Sequence, residues 1–130
     1  MKTRSIFIIV LTLVLAMPAL SQGRKWTFLG EKLVNDRLDH DIVLVTAKQG
    51  DFKSIVIRVK GASVDFKKVV VVYGNGERDE IELRNTIPAG GTSRIIDLKG
   101  NERIIRDIEF WYDANTIRGR KAVVRVFGRR

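Results

Sequence analysis

Along Ser54–Lys60 the apolar residues fall at every second position: Ile55, Ile57 and Val59 share one parity, Val56, Arg58 and Lys60 the other. That is the pattern of a strand with one buried face, and a helix cannot satisfy it. The same alternation, or a short apolar run, recurs in Trp26–Leu29, Lys32–Val34, Asp41–Thr46, Val64–Phe66, Val69–Tyr73, Asp79–Arg84, Arg94–Leu98, Arg103–Asp113 and Lys121–Phe127. Turn residues separate the runs at spacings of about 8–12 residues. They include Gly30, Gly61, Asn75-Gly76, Pro88 to Thr92 and Lys99 to Glu102. Beyond the N-terminal segment no window carries the i, i+3, i+4 spacing of an amphipathic helix. About eight short strands punctuated in this way predict an all-β domain, an antiparallel two-sheet sandwich. Immunoglobulin-like and jelly-roll topologies both remain open.

Two segments fix expectations about which residues face inward. Asn75-Gly76 accepts the positive φ angles of a type I′ turn, so Val69–Tyr73 and Asp79–Arg84 are expected to form a hairpin. A two-residue turn would place Val70 opposite Ile81 and Val72 opposite Asp79 on a core face. Val69, Val71 and Tyr73 would then lie among Glu82, Glu80 and Arg78 on the other. Valines among carboxylates suggest a partly covered face, and association of a subunit through it, as a homo-oligomer, is one expectation. In the longest run, Ile104, Ile108, Phe110 and Tyr112 share the expected core parity, with Arg106 an exception that suggests an edge or a bulge. The opposite parity displays Ile105, Asp107, Glu109, Trp111 and Asp113.

The N-terminus has the composition of an address. Lys2 and Arg4 precede an apolar run from Ile6 to Met17, followed by Pro18-Ala19-Leu20-Ser21. The run suits a signal-peptide h-region and is short for a membrane span, which needs roughly 20 residues. Ala19 and Ser21 are small residues in the −3 and −1 positions for cleavage after Ser21. The expectation is a signal peptide over residues 1–21, a single β-sandwich domain over 22–130, and delivery to the bacterial periplasm or the medium. No cysteine is present, which excludes a lipoprotein anchor, a disulfide scaffold and thiol chemistry.

With 24 Lys+Arg against 15 Asp+Glu, the chain has a formal net charge of +9. Inside a cell such a balance would raise nucleic acid as a partner. Outside the cytoplasm the abundant polyanions are lipid headgroups, teichoic acids and acidic glycans. The basic residues also form no stripe interleaved with several aromatics. Nucleic acid is therefore not expected, nor is a membrane span in the mature chain. An envelope glycan, an anionic envelope polymer or a protein partner is.

No catalytic set is legible. The lone His40 sits between Asp39 and Asp41, and consecutive strand residues point to opposite faces. Asp36, Asp39 and Asp41 could line a calcium-binding lip, but the segment lacks the spacing and glycine of an EF-hand loop. There is no nucleophile elbow, and Ala89 to Thr92 lacks the lysine of a phosphate loop. No metal and no cofactor are expected. A pair of carboxylates acting on an envelope glycan is the one enzymatic alternative. The leading expectation is a non-enzymatic binding module. Its surface would be Trp111 with Asp107, Glu109 and Asp113, where an indole stacks on a sugar ring and carboxylates accept from hydroxyls. Arg118 and Arg120, close in sequence, would add positive charge. Trp111 stacked on neighbouring Lys or Arg stems is the plainer alternative.

The segments Val71 to Gly76, Ile87 to Gly91, Ile96 to Gly100, Arg103 to Ile105 and Ala122 to Gly128 together resemble a family of small exported bacterial proteins known only as a domain of unknown function. The likeness runs from Trp26 to Gly128 and rests on turns and strand ends. It implies an exported single β domain and brings no catalytic residues.

Overall fold

The computed structural model describes residues 25–35, 39–45, 50–100, 103–113 and 119–130. The expected leader, Arg118 and Asp36 lie outside them. Nine strands make two antiparallel sheets: β1 (Thr27–Val34), β2 (His40–Leu44), β3 (Ser54–Lys60), β4 (Val64–Tyr73), β5 (Arg78–Ile81), β6 (Thr86–Ile87), β7 (Ile96–Asp97), β8 (Ile105–Tyr112) and β9 (Ala122–Arg129). The first sheet runs β1-β9-β3-β7; the second runs β2-β8-β4-β5, with β6 also paired to β4. Among the described strands, only β4 and β5 join sequence neighbours by ladder hydrogen bonds. The remaining ladders pair segments distant in the chain, such as β1 with β9 and β2 with β8.

The core lies between the sheets. Ile55, Ile57 and Val59 point into it from β3, Val124 and Val126 from β9, and Val43, Ile108, Phe110 and Tyr112 from the second sheet, each at most 1% exposed. Burial of such a side chain is worth about 1.5–3 kcal/mol. Apolar alternation therefore fixes which way each strand faces. Two buried aspartates flank this core, and a core tyrosine donates to each: Tyr73 Oη to Asp79 Oδ2 at 3.1 Å and Tyr112 Oη to Asp41 Oδ2 at 3.0 Å. Burial, reinforced by the neighbouring Asp79 charge, pushes the Tyr73 hydroxyl up to about 12. Burial beside Asp41 raises the Tyr112 hydroxyl as well. Asp41 thus accepts from Tyr112 through Oδ2 and lies 4.0 Å from Lys32 Nζ through Oδ1.

Four departures from the expected strands have local causes. Gly30 does not end the first strand. It sits at an irregularity within β1, and a Cβ there would lie 2.4 Å from the Leu44 carbonyl oxygen, so the glycine permits β1 and β2 to cross closely. Val64 to Tyr73 is one strand with a bulge at Lys67, which turns Lys68 outward and Val69 inward.

The hairpin has a three-residue loop. Tyr73 N–H donates to the Glu77 carbonyl, Gly76 N–H donates to the Tyr73 carbonyl, and Gly76 takes a φ of +92°. The Asn75 side chain accepts from Glu77 N–H at 3.0 Å, tying Asn75 into the loop. The extra residue shifts the register by one, which exchanges the faces. Val69 opposes Ile81 and Val71 opposes Asp79, with Tyr73 on the same core face, whereas Val70 and Val72 point outward opposite Glu80 and Arg78. The expected core pair of Val70 and Val72 is corrected accordingly. All residues from Val69 to Tyr73 are buried, so this run offers no exposed valine for subunit contact. A bulge at Arg106 likewise brings Ile105 into the core and leaves Ile104 58% exposed, reversing the expected parity at the start of β8.

Candidate functional site

The outer face of the second sheet carries the tryptophan that the sequence singled out. His40, Trp111 and Lys68 stand side by side on β2, β8 and β4. The His40 ring stacks on the indole with centroids 4.3 Å apart at 12°, and Lys68 Nζ lies 4.6 Å from the indole centroid. These neighbours come from opposite flanking strands, so the ring is gripped by protein groups on this sheet.

Glu109 receives two bonds from Arg78, both at 3.0 Å, and its Oε1 lies 3.7 Å from His40 Nε2. Arg78 belongs to β5 and Glu109 to β8, so their pair spans the intervening β4 above Val70 and Val72. The Arg78 bonds hold the Glu109 carboxyl below its ordinary range and the guanidinium above its own. General acid catalysis needs the opposite shift in a carboxyl group. Asp107 is buried and is met by Arg106 Nε at 3.2 Å. Asp113 is half-buried just past the end of β8, where its N–H donates to the Asp65 carbonyl. Arg120 is exposed before β9, in the other sheet, and is not among the described contacts of Trp111, Glu109 or Asp107.

The outer face of the first sheet is built differently. Phe28, Phe127 and Val56 form one row across β1, β9 and β3, and Glu31, Arg125 and Arg58 form the next. Phe28 meets Phe127 edge-on at 5.6 Å and 61°. Arg58 and Arg125 hold their guanidinium carbons 5.7 and 5.9 Å from the Phe127 centroid, and Arg129 lies 4.5 Å from that of Trp26. Glu31 pairs with Arg125 at 3.0 Å, while Arg58 and Arg129 have no carboxylate partner among the described residues.

Beside β3, the Gly90 to Ser93 segment is hydrogen-bonded to the strand and raises a wall. Gly90 N–H donates to Val59 O at 2.7 Å, and Ser93 N–H donates to Ile57 O at 2.8 Å. Between this wall and β9 lies an open groove of about 490 Å³, lined by Trp26, Val56, Arg58, Thr92, Ile95 and Phe127. The sequence reading missed this site. Its signal was present in β9, where Val123, Arg125, Phe127 and Arg129 share the outward parity, and in Trp26 and Phe28.

Among solved structures, the chain resembles Pseudomonas aeruginosa AlgX, with 16% identity and a TM-score of 0.53 over 81% of this chain and 26% of that one. It therefore spans about a quarter of AlgX, and at this identity the likeness concerns the fold alone. Weaker likenesses join it to a family 29 carbohydrate-binding module, with 16% identity, a TM-score of 0.42, and 83% and 79% of the two chains covered. The D114A mutant of CBM29-2 gives 16% identity and a TM-score of 0.41 over 83% and 81%. No curated protein matches the chain. A family model described as a domain of unknown function, DUF2541, matches residues 8–128, and the chain belongs to that family.

Proposed function

We propose that this domain is a non-enzymatic binding module of the bacterial cell envelope, carried there by its N-terminal segment, and that it holds an envelope glycan in the groove of its first sheet. The observation that supports this reading most directly is the groove itself. Trp26, Phe127 and Ile95 give it an apolar floor and flank, and Arg58 and Thr92 bring polar groups to the same opening. Ligand sites combine these two kinds of group: apolar area supplies affinity and a few placed donors supply orientation.

The test is co-sedimentation of the purified protein with isolated envelope fractions at low and high salt. Trp26→Ala and Phe127→Ala are run beside Trp111→Ala. Retention that survives salt and falls in the first two variants supports the groove. Undiminished retention in both overturns it.

A second reading keeps the Trp111 face, with Asp107, Glu109 and Asp113, as a contact for a protein partner. It is favoured by Ile42 and Leu44 on neighbouring β2, which are 39% and 61% exposed. Loss of retention in Trp111→Ala alone selects it.

A further inference from the structure

The second row of the first sheet contains an unfavourable juxtaposition. Arg58 on β3 and Arg125 on β9 are direct cross-strand partners on the same face. Like charges placed opposite one another destabilise a sheet. Among the described residues a single carboxylate, Glu31, pairs in this row, and its partner is Arg125. Both guanidiniums lie near one ring, that of Phe127. Arg125 lies nearer still to the Phe28 ring, at 5.1 Å, and the guanidinium N–H edges that Glu31 does not take are able to bind an oxyanion in a fork.

Along β9 the outward residues then read Arg125, Phe127, Arg129. The two arginines are four residues apart, roughly 13 Å at the rise of an antiparallel strand. Trp26 stands beside the second of them. Positive charge, apolar ring and positive charge therefore recur along one line.

A matching ligand carries anionic groups separated by rings that have apolar faces. Polyol phosphate chains lack the rings, and neutral glycans lack the charge. From this row and this spacing we infer that Arg58, which lines the groove, and Arg125, its cross-strand partner beside it, form a carboxylate subsite at the groove's margin next to Phe127, and that the groove takes a polysaccharide bearing uronic acids. This rests on the groove being the binding face, and the experiment separates the two claims.

The experiment titrates the protein with a hexamer of galacturonate and with the same hexamer fully methyl-esterified, which keeps the sugar rings and removes the charge. An oligothymidylate is the third probe. Arg58→Gln, Arg125→Gln and Phe127→Ala are titrated beside the parent. The parent is expected to prefer the acid over the ester by about tenfold or more, the worth of a hydrogen bond to a charged group. Each arginine variant loses that preference, whereas Phe127→Ala weakens acid and ester alike. Thermal unfolding supplies an independent readout, because relieving the like-charge contact leaves Arg58→Gln at least as stable as the parent.

Equal binding of acid and ester, with both weakened in Phe127→Ala, overturns the carboxylate subsite and leaves the groove standing. Binding of both hexamers undiminished in Phe127→Ala overturns the groove as well. Absence of binding to the acid hexamer, or preference for oligothymidylate, overturns the uronate ligand.

Discussion

Replacing Gly128 by alanine tests the packing that turns the groove residues outward. Gly128 continues the inward parity of β9 after Ala122, Val124 and Val126, all 0% exposed. A Cβ at this position would stand 2.7 Å from Phe52 Cδ1 and 3.0 Å from Leu29 Cδ1. Carbon atoms pack best at about 3.5–4.0 Å, so the Phe52 ring must retreat from a site where it is 1% exposed. Adding a methyl group to a filled core costs about 1–3 kcal/mol. Alanine also restricts the unfolded chain, which returns about 0.4–1 kcal/mol. The expected net loss is about 1–2 kcal/mol, read as a lower urea midpoint with an unchanged slope. Phe52→Leu opens space beside the new methyl, so the double variant should lose less than the two single losses combined, with a coupling of about 0.5 kcal/mol or more. Parent-like or greater stability in Gly128→Ala, or strict additivity with Phe52→Leu, refutes the reasoning. The result bears on function because a strand has a period of two. If Gly128 did not face Phe52, Phe127 would not face the groove.

Two further outcomes follow from the charged groups. The Tyr73 hydroxyl titrates near 10 in an unfolded chain and at about 12 in the folded one, so its contribution is full below pH 10 and is lost as pH rises through about 12. In denaturant titrations the stability difference between the parent and Tyr73→Phe should shrink across that interval, and a constant difference counts against the Tyr73–Asp79 bond. The Glu109 carboxyl is held below its ordinary 4.5 by Arg78, so its contribution is present above that value and disappears as pH falls through its lowered one. The difference between the parent and Glu109→Gln should therefore be full at pH 7 and vanish in acid; a difference independent of pH sinks the pairing.

The direction each strand faces was legible wherever a strand was regular. Ile55, Ile57 and Val59 point inward as their alternation requires. It was illegible where one residue was added at Lys67 and in the Gly74 to Gly76 loop; at Arg106 the break in parity did announce a bulge, though not that Ile105 rather than Ile104 would turn inward. Asn75-Gly76 announced a turn and left its length undetermined, because Asn75 is equally able to bond Glu77 through its own side chain. Strand order was hidden for a different reason. A period of two names a face and never a partner, and β9 finds β1 and β3 from far away in the chain. The groove inherits that difficulty. Its residues come from positions 26, 56, 58, 92, 93, 95 and 127, and no local motif joins these separate stretches. Trp111 stood out because its neighbours are acidic in sequence, yet its neighbours in space are His40 and Lys68.

The two outer faces use the same residue types and differ in how far their charges are met from within. On the second sheet Glu109 is met by Arg78, Asp107 by Arg106, and Glu80 by Lys68 at 3.9 Å. Each of these acids already has its base, so a charged ligand would have to displace a bond already formed. On the first sheet Glu31 pairs with Arg125, and Arg58 and Arg129 pair with no described carboxylate. The field there is uncompensated, and a low-dielectric aromatic floor beneath it lessens screening. An anion arriving at Arg58 forms bonds that no described carboxylate already supplies, whereas at Arg125 it joins Glu31, and it relieves the Arg58–Arg125 opposition as it does so. The difference between the faces therefore lies in electrostatic closure rather than in aromatic content, and it is on this difference that the proposal of the groove, rather than the more conspicuous Trp111, rests.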